Sequence, residues 1–282
     1  MKILVDADSI VFMGAVVAEV AEVPMFKKDN VMKKIMRQKM DDIQSRWPFW
    51  DMKVAIRGKN NFRKYIYPEY KANRPKQTEL MYALLEEGND YLCKYWDVTE
   101  ANGMEADDLV CIWAHECMED GVDFVIASID KDLKQIPGKH FNYKTGEKAV
   151  INDDTANLNL MLQCLTGDSG DNIPGITGIG PAKASKILAG VPMARRWASV
   201  RSAWSDHGAG DPELSWRLLS MIQSWEEYLE VRELVQKKSV EAFGKECEQK
   251  KIDDSIHGKY NSESIVNLFQ STQPTSENEE AT

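Results

Sequence analysis

The sequence predicts an α/β protein: a mostly parallel sheet flanked by helices, continued by a helical C-terminal part. Three observations predict it. Short apolar runs at 2–6, 52–56 and 124–127 have the length of buried strands and alternate with longer amphipathic stretches. Acids follow the first and third of these runs, in the crevice where open parallel sheets bind ligands. After residue 155 the pattern changes to helices broken by Gly and Pro.

Taken in order, Lys2-Ile-Leu-Val-Asp6 reads as a short strand ending in an acid. Residues 9–22 look helical. Residues 28–46 place Val31, Ile35, Met36, Met40 and Ile43 at spacings of three and four, which predicts a second helix. Met52–Ile56 is a second strand, and 78–94 a further helix. Glu105–Cys117 is a helix with its acids in the first turn, where the helix dipole tolerates them. Phe124–Ala127 is a third strand. Phe141–Ile151 reads as a hairpin turning at Thr145-Gly146. A helix is expected from Ala182 to Leu188, stopped by Gly190, and long helices over 214–248. Trp197, Trp204, Trp216 and Trp225 are expected to pack as helix core. Residues 271–282 are polar and acidic and are expected to be disordered.

The 282 residues suffice for one large domain or two smaller ones, and a 43% hydrophobic content is ample for a core. A net charge of −10 argues against a general nucleic-acid coat protein, although a local basic patch can act against an acidic whole. Five cysteines (Cys93, Cys111, Cys117, Cys164, Cys247) contain no CxxC pair, which reads as reduced thiols rather than disulfides or zinc ligands. The N-terminus lacks a basic leader, and no stretch approaches the ~18 apolar residues of a membrane span. The expected location is the cytoplasm.

The chemistry sits in the acids. Glu105-Ala-Asp107-Asp108, Asp130-Lys-Asp132, and the pair Asp168 and Asp171 join Asp6 as a scattered set. Hard divalent cations such as Mg²⁺ take oxygen ligands and keep several waters, so acids spread over strand and helix ends suggest a Mg²⁺ site that handles phosphates. Taken alone, the 105–108 group is better accounted for by helix capping. Asp130 and Asp132 share one side if the backbone stays extended, and two such acids repel unless a cation lies between them.

Two basic stretches accompany the acids. Residues 57–76 hold seven Lys or Arg against one acid, Glu69, and interleave them with aromatics in Phe62-Arg63-Lys64-Tyr65 and Tyr70-Lys71-Ala-Asn-Arg74. Cations neutralise phosphates and aromatics stack on splayed bases; a solvated loop is the plain alternative. In Gly178-Ile-Gly180-Pro181-Ala-Lys183-Ala-Ser-Lys186 the glycines free a tight hairpin before a helix that starts at proline. Its amides can hold a phosphate, with Lys183 and Lys186 adding charge, or the stretch is only a turn.

These motifs in this order resemble the 5′-nuclease superfamily: flap endonucleases, the 5′-nuclease domain of bacterial DNA polymerase I, and bacteriophage 5′–3′ exonucleases, to which this chain is most similar. The resemblance covers residues 1 to about 190. It implies a PIN-like core over 1–155 with a basic arch region at about 57–95. A helical DNA-binding region over 156–270 would contain a helix–three-turn–helix element at about 168–190. Asp6, Glu105, Asp107, Asp108, Asp130 and Asp132 would surround a first Mg²⁺, and Asp132, Asp168 and Asp171 would serve a second, with Mn²⁺ as a substitute. Lys71 and Arg74 would steady the scissile phosphate, supported by Arg63, and Tyr70 would stack on a base. Gly178, Gly180, Lys183 and Lys186 would grip duplex backbone with a K⁺ ion. The implied activity is two-metal hydrolysis of DNA at 5′ ends, flaps and duplex–single-strand junctions in replication or repair, by a monomer, with RNA–DNA hybrid as a further substrate. One departure stands out. The family usually carries an Asp after the second strand, and Ile56-Arg57-Gly58-Lys59-Asn60-Asn61 has none. That predicts weaker or altered metal binding. It leaves two rivals, a non-catalytic DNA-binding paralogue and a PIN-like ribonuclease.

Overall fold

The computed structural model describes residues 1–233 and residue 235. The acidic tail expected at 271–282, Cys247 and the far part of the helices expected over 214–248 lie outside the described residues. Met1–Val235 forms one compact unit, so the change expected near residue 155 is a change of element type within it.

Six strands form the main sheet in the order β3-β2-β1-β4-β5-β6. They are β1 (Lys2–Asp6), β2 (Asp51–Arg57), β3 (Val98–Ala101), β4 (Phe124–Ala127), β5 (Gly138–Phe141) and β6 (Lys148–Ile151). The pairs from β3 through to β5 are parallel, and β5–β6 is antiparallel. From β1 the chain runs outward through β2 and β3, then returns to the other side of β1 as β4. The order therefore reverses between β1 and β4, which opens a crevice beyond their carboxyl ends. Alternation sorts the side chains. Ile3, Val5, Val54, Ile56, Val125 and Ala127 face one core, and Leu4, Ala55, Phe124 and Ile126 the other.

On the first face lie α1 (Asp8–Val20), α2 (Lys28–Arg46) and α4 (Glu79–Tyr95). Met32, Met36, Met40 and Ile43 of α2 are fully buried there. The amide of Met81 donates to Thr78 Oγ1 (3.0 Å), which caps α4. On the second face α5 (Ala106–Glu119) buries Leu109, Val110, Ile112 and Trp113. The short α3 (Arg63–Ile66) and the turns after it lead into α4.

Beyond β6, α6 (Asp153–Thr166), α7 (Pro181–Leu188), α8 (Met193–Asp206) and α9 (Pro212–Leu219) build a third core around Leu165, Ile173, Leu188, Val200 and Trp204. Between α6 and α7 a two-stranded ribbon pairs β7 (Gly167–Asp168) with β8 (Ile173–Pro174). Its ends cross so closely that a Cβ on Gly175 would run into the Thr166 backbone. Trp225, expected in the core, is 40% exposed and donates from Nε1 to Glu116 Oε1 (2.8 Å).

Two features differ from the sequence reading. β3 went unread because Thr99 and Glu100 are exposed on an edge strand, so no apolar run marks it. The expected arch, 57–95, divides: Lys71 and Arg74 meet the acids Glu105 and Asp171, while α4 is a core helix with Met81, Leu84, Leu85 and Leu92 buried.

Candidate active site

β1 and β4 deliver the innermost acids. Asp6 ends β1, is 2% exposed, and accepts a hydrogen bond from Ser128 Oγ (2.8 Å). Ser128 follows β4, and its Oγ accepts from the Asp130 amide (2.9 Å). Asp130 Oδ1 then accepts from the Asp132 amide (2.8 Å), and Gln163 Nε2 donates to Asp132 Oδ1. A short polar chain thus fixes three acids around the switch point.

These acids are short of positive charge. Burial, then the nearby Asp8 and Asp130, push Asp6 up to about 7. Burial and Asp130 push Asp132 up to about 6. Asp107, in the first turn of α5, is driven well above the ordinary range by burial and by Asp6, Asp130, Glu105 and Asp108, all negative. Desolvation and like charges both disfavour the ionised form.

The outer acids are matched by cations of the chain. Burial opposes the charge of Glu105, yet Arg63 and Lys71 hold it below the ordinary range. It accepts from Tyr70 Oη (2.6 Å) and forms an ion pair with Lys71. Asp171 pairs with Arg74 and, at 3.5 Å, with Lys71. Asp168 accepts from the Gly170 amide (2.7 Å) and pairs with Lys131 at 3.2 Å, which lowers it against the effect of burial.

The loop around Lys71 is stitched to the loop after α6. The Lys71 amide donates to Asp171 O (2.9 Å), Asn73 Nδ2 to Ser169 O (2.7 Å) and Asn172 Nδ2 to Glu69 O (2.8 Å). Lys71 itself has φ +58°, a left-handed conformation that costs a non-glycine residue about 1–3 kcal/mol and persists because these contacts over-determine it.

Three roles expected from the sequence are corrected. Asp108 is fully buried, and its oxygens accept from both guanidinium nitrogens of Arg63 (2.6 and 2.8 Å) and from the amides of Glu105 and Ile222 (2.9 and 3.0 Å). With two donors on each oxygen, its carboxylate is taken up by the protein itself. Arg63 is 3% exposed and also donates to Leu218 O and Ser220 O (2.8 Å each), so it cannot steady a substrate phosphate. The pair instead clamps the segment after α9 to the acidic helix. Tyr70 is 3% exposed in the third core and offers no face to a base; its hydroxyl orients Glu105.

The remaining expected residues lie between the ribbon and α7 and on α7. Gly178, with φ +80°, and Gly180, the residue before α7, are exposed; Lys183 Nζ donates to Gly178 O (2.8 Å), and Lys186 is exposed. Sequence reasoning missed two residues of the site itself. Gln163 carries no motif, and Asp8 falls just before the helix expected at 9–22 and was not singled out. The spacing Asp6-x-Asp8 after a strand was the available signal for Asp8.

Among the described residues, no three acids, histidines or cysteines converge tightly enough to hold an ion as they stand. The donor set nevertheless fits a hard divalent cation. Oxygen ligands with excess negative charge gather at Asp6, Asp107, Asp130 and Asp132, and among the described residues no cationic side chain pairs with Asp107.

An α/β sheet with a carboxylate-lined crevice at its switch point, edged by Lys71, Arg74 and Lys131, defines a protein built to handle charged oxygen-rich ligands. The chain belongs to the family described as 5′-3′ exonuclease, N-terminal resolvase-like domain, whose model matches residues 3–159. It is 35% identical to DNA polymerase I of Rhizobium leguminosarum over 139 residues, 45% of this chain and 14% of the polymerase. It is 32% identical to flap endonuclease Xni of Shewanella sp. (strain MR-4) over 158 residues, 53% of this chain and 60% of that protein. The chain thus spans less than two thirds of the length of these relatives. Among solved structures, the T5 D15 protein co-crystallised with metal ions has the same fold, with a TM-score of 0.60 at 15% identity over 84% of this chain and 98% of that one. The D15 flap endonuclease of bacteriophage T5, in a complex with DNA and metal ions, gives 0.57 at 19% over 86% and 98%.

Proposed function

We propose that this chain hydrolyses DNA phosphodiesters at 5′ ends and flaps, as a 5′–3′ exonuclease or structure-specific flap endonuclease using two divalent cations. The observation that carries this reading is the uncompensated acidic cluster of Asp6, Asp107 and Asp130 at the switch point, with Lys71 and Arg74 held on the neighbouring acids Glu105 and Asp171.

Asp6, Asp107 and Asp130, with Glu105, would hold a first cation; Asp132, Asp168 and Asp171 would serve a second. Mg²⁺, when bound, makes an associated water more acidic and offsets charge on the phosphoryl oxygens. Ser128 orients the carboxylate of Asp6 and holds the backbone of Asp130, and Gln163 orients the carboxylate of Asp132. Burial, then Glu105, raises the Tyr70 hydroxyl, which stays protonated and keeps donating to Glu105. Lys71 and Arg74 exchange their carboxylate partners for the scissile phosphate when substrate enters and offset its developing charge. The exposed Gly178 and Gly180 amides at the start of α7, with Lys183 and Lys186, grip duplex backbone as a helix–three-turn–helix element that takes K⁺. Recognition is of backbone and shape, since phosphate contacts carry no sequence information.

The test is digestion of 5′-flap DNA and blunt duplex, each labelled at either end, with Mg²⁺ and with EDTA. Cation-dependent release of short 5′ fragments is expected, and product length separates exonuclease from flap action. Tight binding without cleavage in both Mg²⁺ and Mn²⁺ would overturn the reading in favour of a DNA-binding relative.

A further inference from the structure

We infer that Asp8 is a further carboxylate of the cation-holding set, reaching across from the first helix to supply the acid that strand β2 lacks. This rests on the proposed reading of the site. β1 is flanked by β2 and β4. β1 ends in Asp6 and β4 is followed by Asp130, but nothing from Ile56 to Asn61 is acidic. The end of β2 also has no room for one at Gly58, where a Cβ would strike the Ala101–Asn102 backbone.

Asp8 fills that corner from outside. The Ala7 amide donates to Ala55 O (3.0 Å), which turns the chain over the β2 end. Asp8 Oδ1 then accepts from the Arg57 amide at 2.6 Å. The Asp8 amide donates to Asp6 Oδ1 (3.2 Å), so the two carboxylates are held as neighbours. The charges around it are those of Arg57, Glu105 and Lys71, the last two belonging to the crevice. Oδ1 is taken by the backbone, and Oδ2 accepts from no described residue. A carboxylate fixed through one oxygen, with the other facing a cation site, acts directly on the ion or through its water shell. Groups in that position typically change metal affinity by about 10- to 100-fold.

Calorimetric titration of the full chain with Mn²⁺ alone, without DNA, tests this. Asp8→Asn keeps the oxygen that accepts from Arg57 and removes the charge. It is expected to bind Mn²⁺ about 10- to 100-fold more weakly, with an unchanged or higher metal-free melting temperature. Adding Arg57→Asp, which returns a carboxylate to the end of β2, is expected to recover part of the loss. If the amide disturbs the turn, Asp8→Ser gives the same readout. Wild-type affinity in a folded Asp8 variant overturns the inference, as does a fall in melting temperature with affinity unchanged. Failure of the wild type to bind Mn²⁺ overturns the reading of the site itself.

Discussion

The acids of this crevice fall into two regions that solve the same electrostatic problem differently. At the switch point, Asp6, Asp107, Asp130 and Asp132 face one another, and like charge and burial raise the first two and the last. A few residues away, Glu105, Asp108, Asp168 and Asp171 each meet a cation: Lys71, Arg63, Lys131 and Arg74. The matched region is charge-balanced in the protein alone. The unmatched region is destabilising as it stands and gains only when a cation enters. Removing a charge should therefore have opposite signs on the two sides.

The largest effect is expected at the Arg63–Asp108 pair. Breaking a buried pair by removing one partner strands the other charge, at a cost of about 3–5 kcal/mol. Arg63→Ala and Asp108→Ala should each lose that much in urea unfolding, partly by releasing Leu218, Ser220 and Ile222. A loss under about 1 kcal/mol would show that the pair is a surface contact in solution. On the other side, Asp107→Asn should raise metal-free stability by on the order of 1 kcal/mol and abolish stabilisation by Mn²⁺. A destabilised Asp107→Asn protein would erase the distinction between the regions.

The two regions also differed in legibility. Strands β1, β2 and β4 announced themselves as apolar runs, and acids beyond strand ends are where open sheets bind ligands, so the switch-point acids were readable. Asp108 and Arg63 were readable as charged residues but not as a pair, because the groups that close their shell, Leu218, Ser220 and Ile222, lie more than a hundred residues away in sequence. Tyr70 misled for a similar reason: beside two cations it looks like a base-stacking residue, and only the packing of α6–α9 buries it. β3 was invisible because an edge strand with exposed Thr99 and Glu100 has no pattern to read.

A pH series sharpens the comparison without mutation. Asp6 rises from 3.8 to about 7 and Asp132 from 3.8 to about 6, so between these values the folded state holds protons that the unfolded chain has lost. Their contribution is full below the unfolded value and is lost as pH rises through the folded one. Glu105 and Asp168 are lowered, and their contribution is already complete above the ordinary carboxylate range. From about pH 5 to 8, then, among these acids only the unmatched region contributes a change, and it lowers stability. In EDTA the melting temperature should fall by on the order of 5 °C over that window, Asp6→Asn should flatten the fall, and Mn²⁺ should stabilise most at the alkaline end. A melting temperature that rises with pH would contradict the assignment.

The smallest stability effect is expected at Arg74, and it tests whether the matched region is only structure. The Arg74 side chain is 55% exposed and meets Asp171 at the rim. Exposed ion pairs contribute about 0–1 kcal/mol, so Arg74→Ala should change unfolding free energy by less than about 0.5 kcal/mol. If its real partner is a phosphate, the loss appears in DNA binding instead. Each neutralised phosphate steepens the dependence of affinity on salt by roughly one unit on logarithmic axes. Fluorescence anisotropy with a 5′-flap DNA in Ca²⁺, repeated over a salt series, should give weaker binding and a slope reduced by about one. An unchanged slope would mean that Arg74 stays on Asp171 when DNA is bound. The rim cations would then belong wholly to the scaffold, leaving Lys71 alone in the loop to meet the substrate.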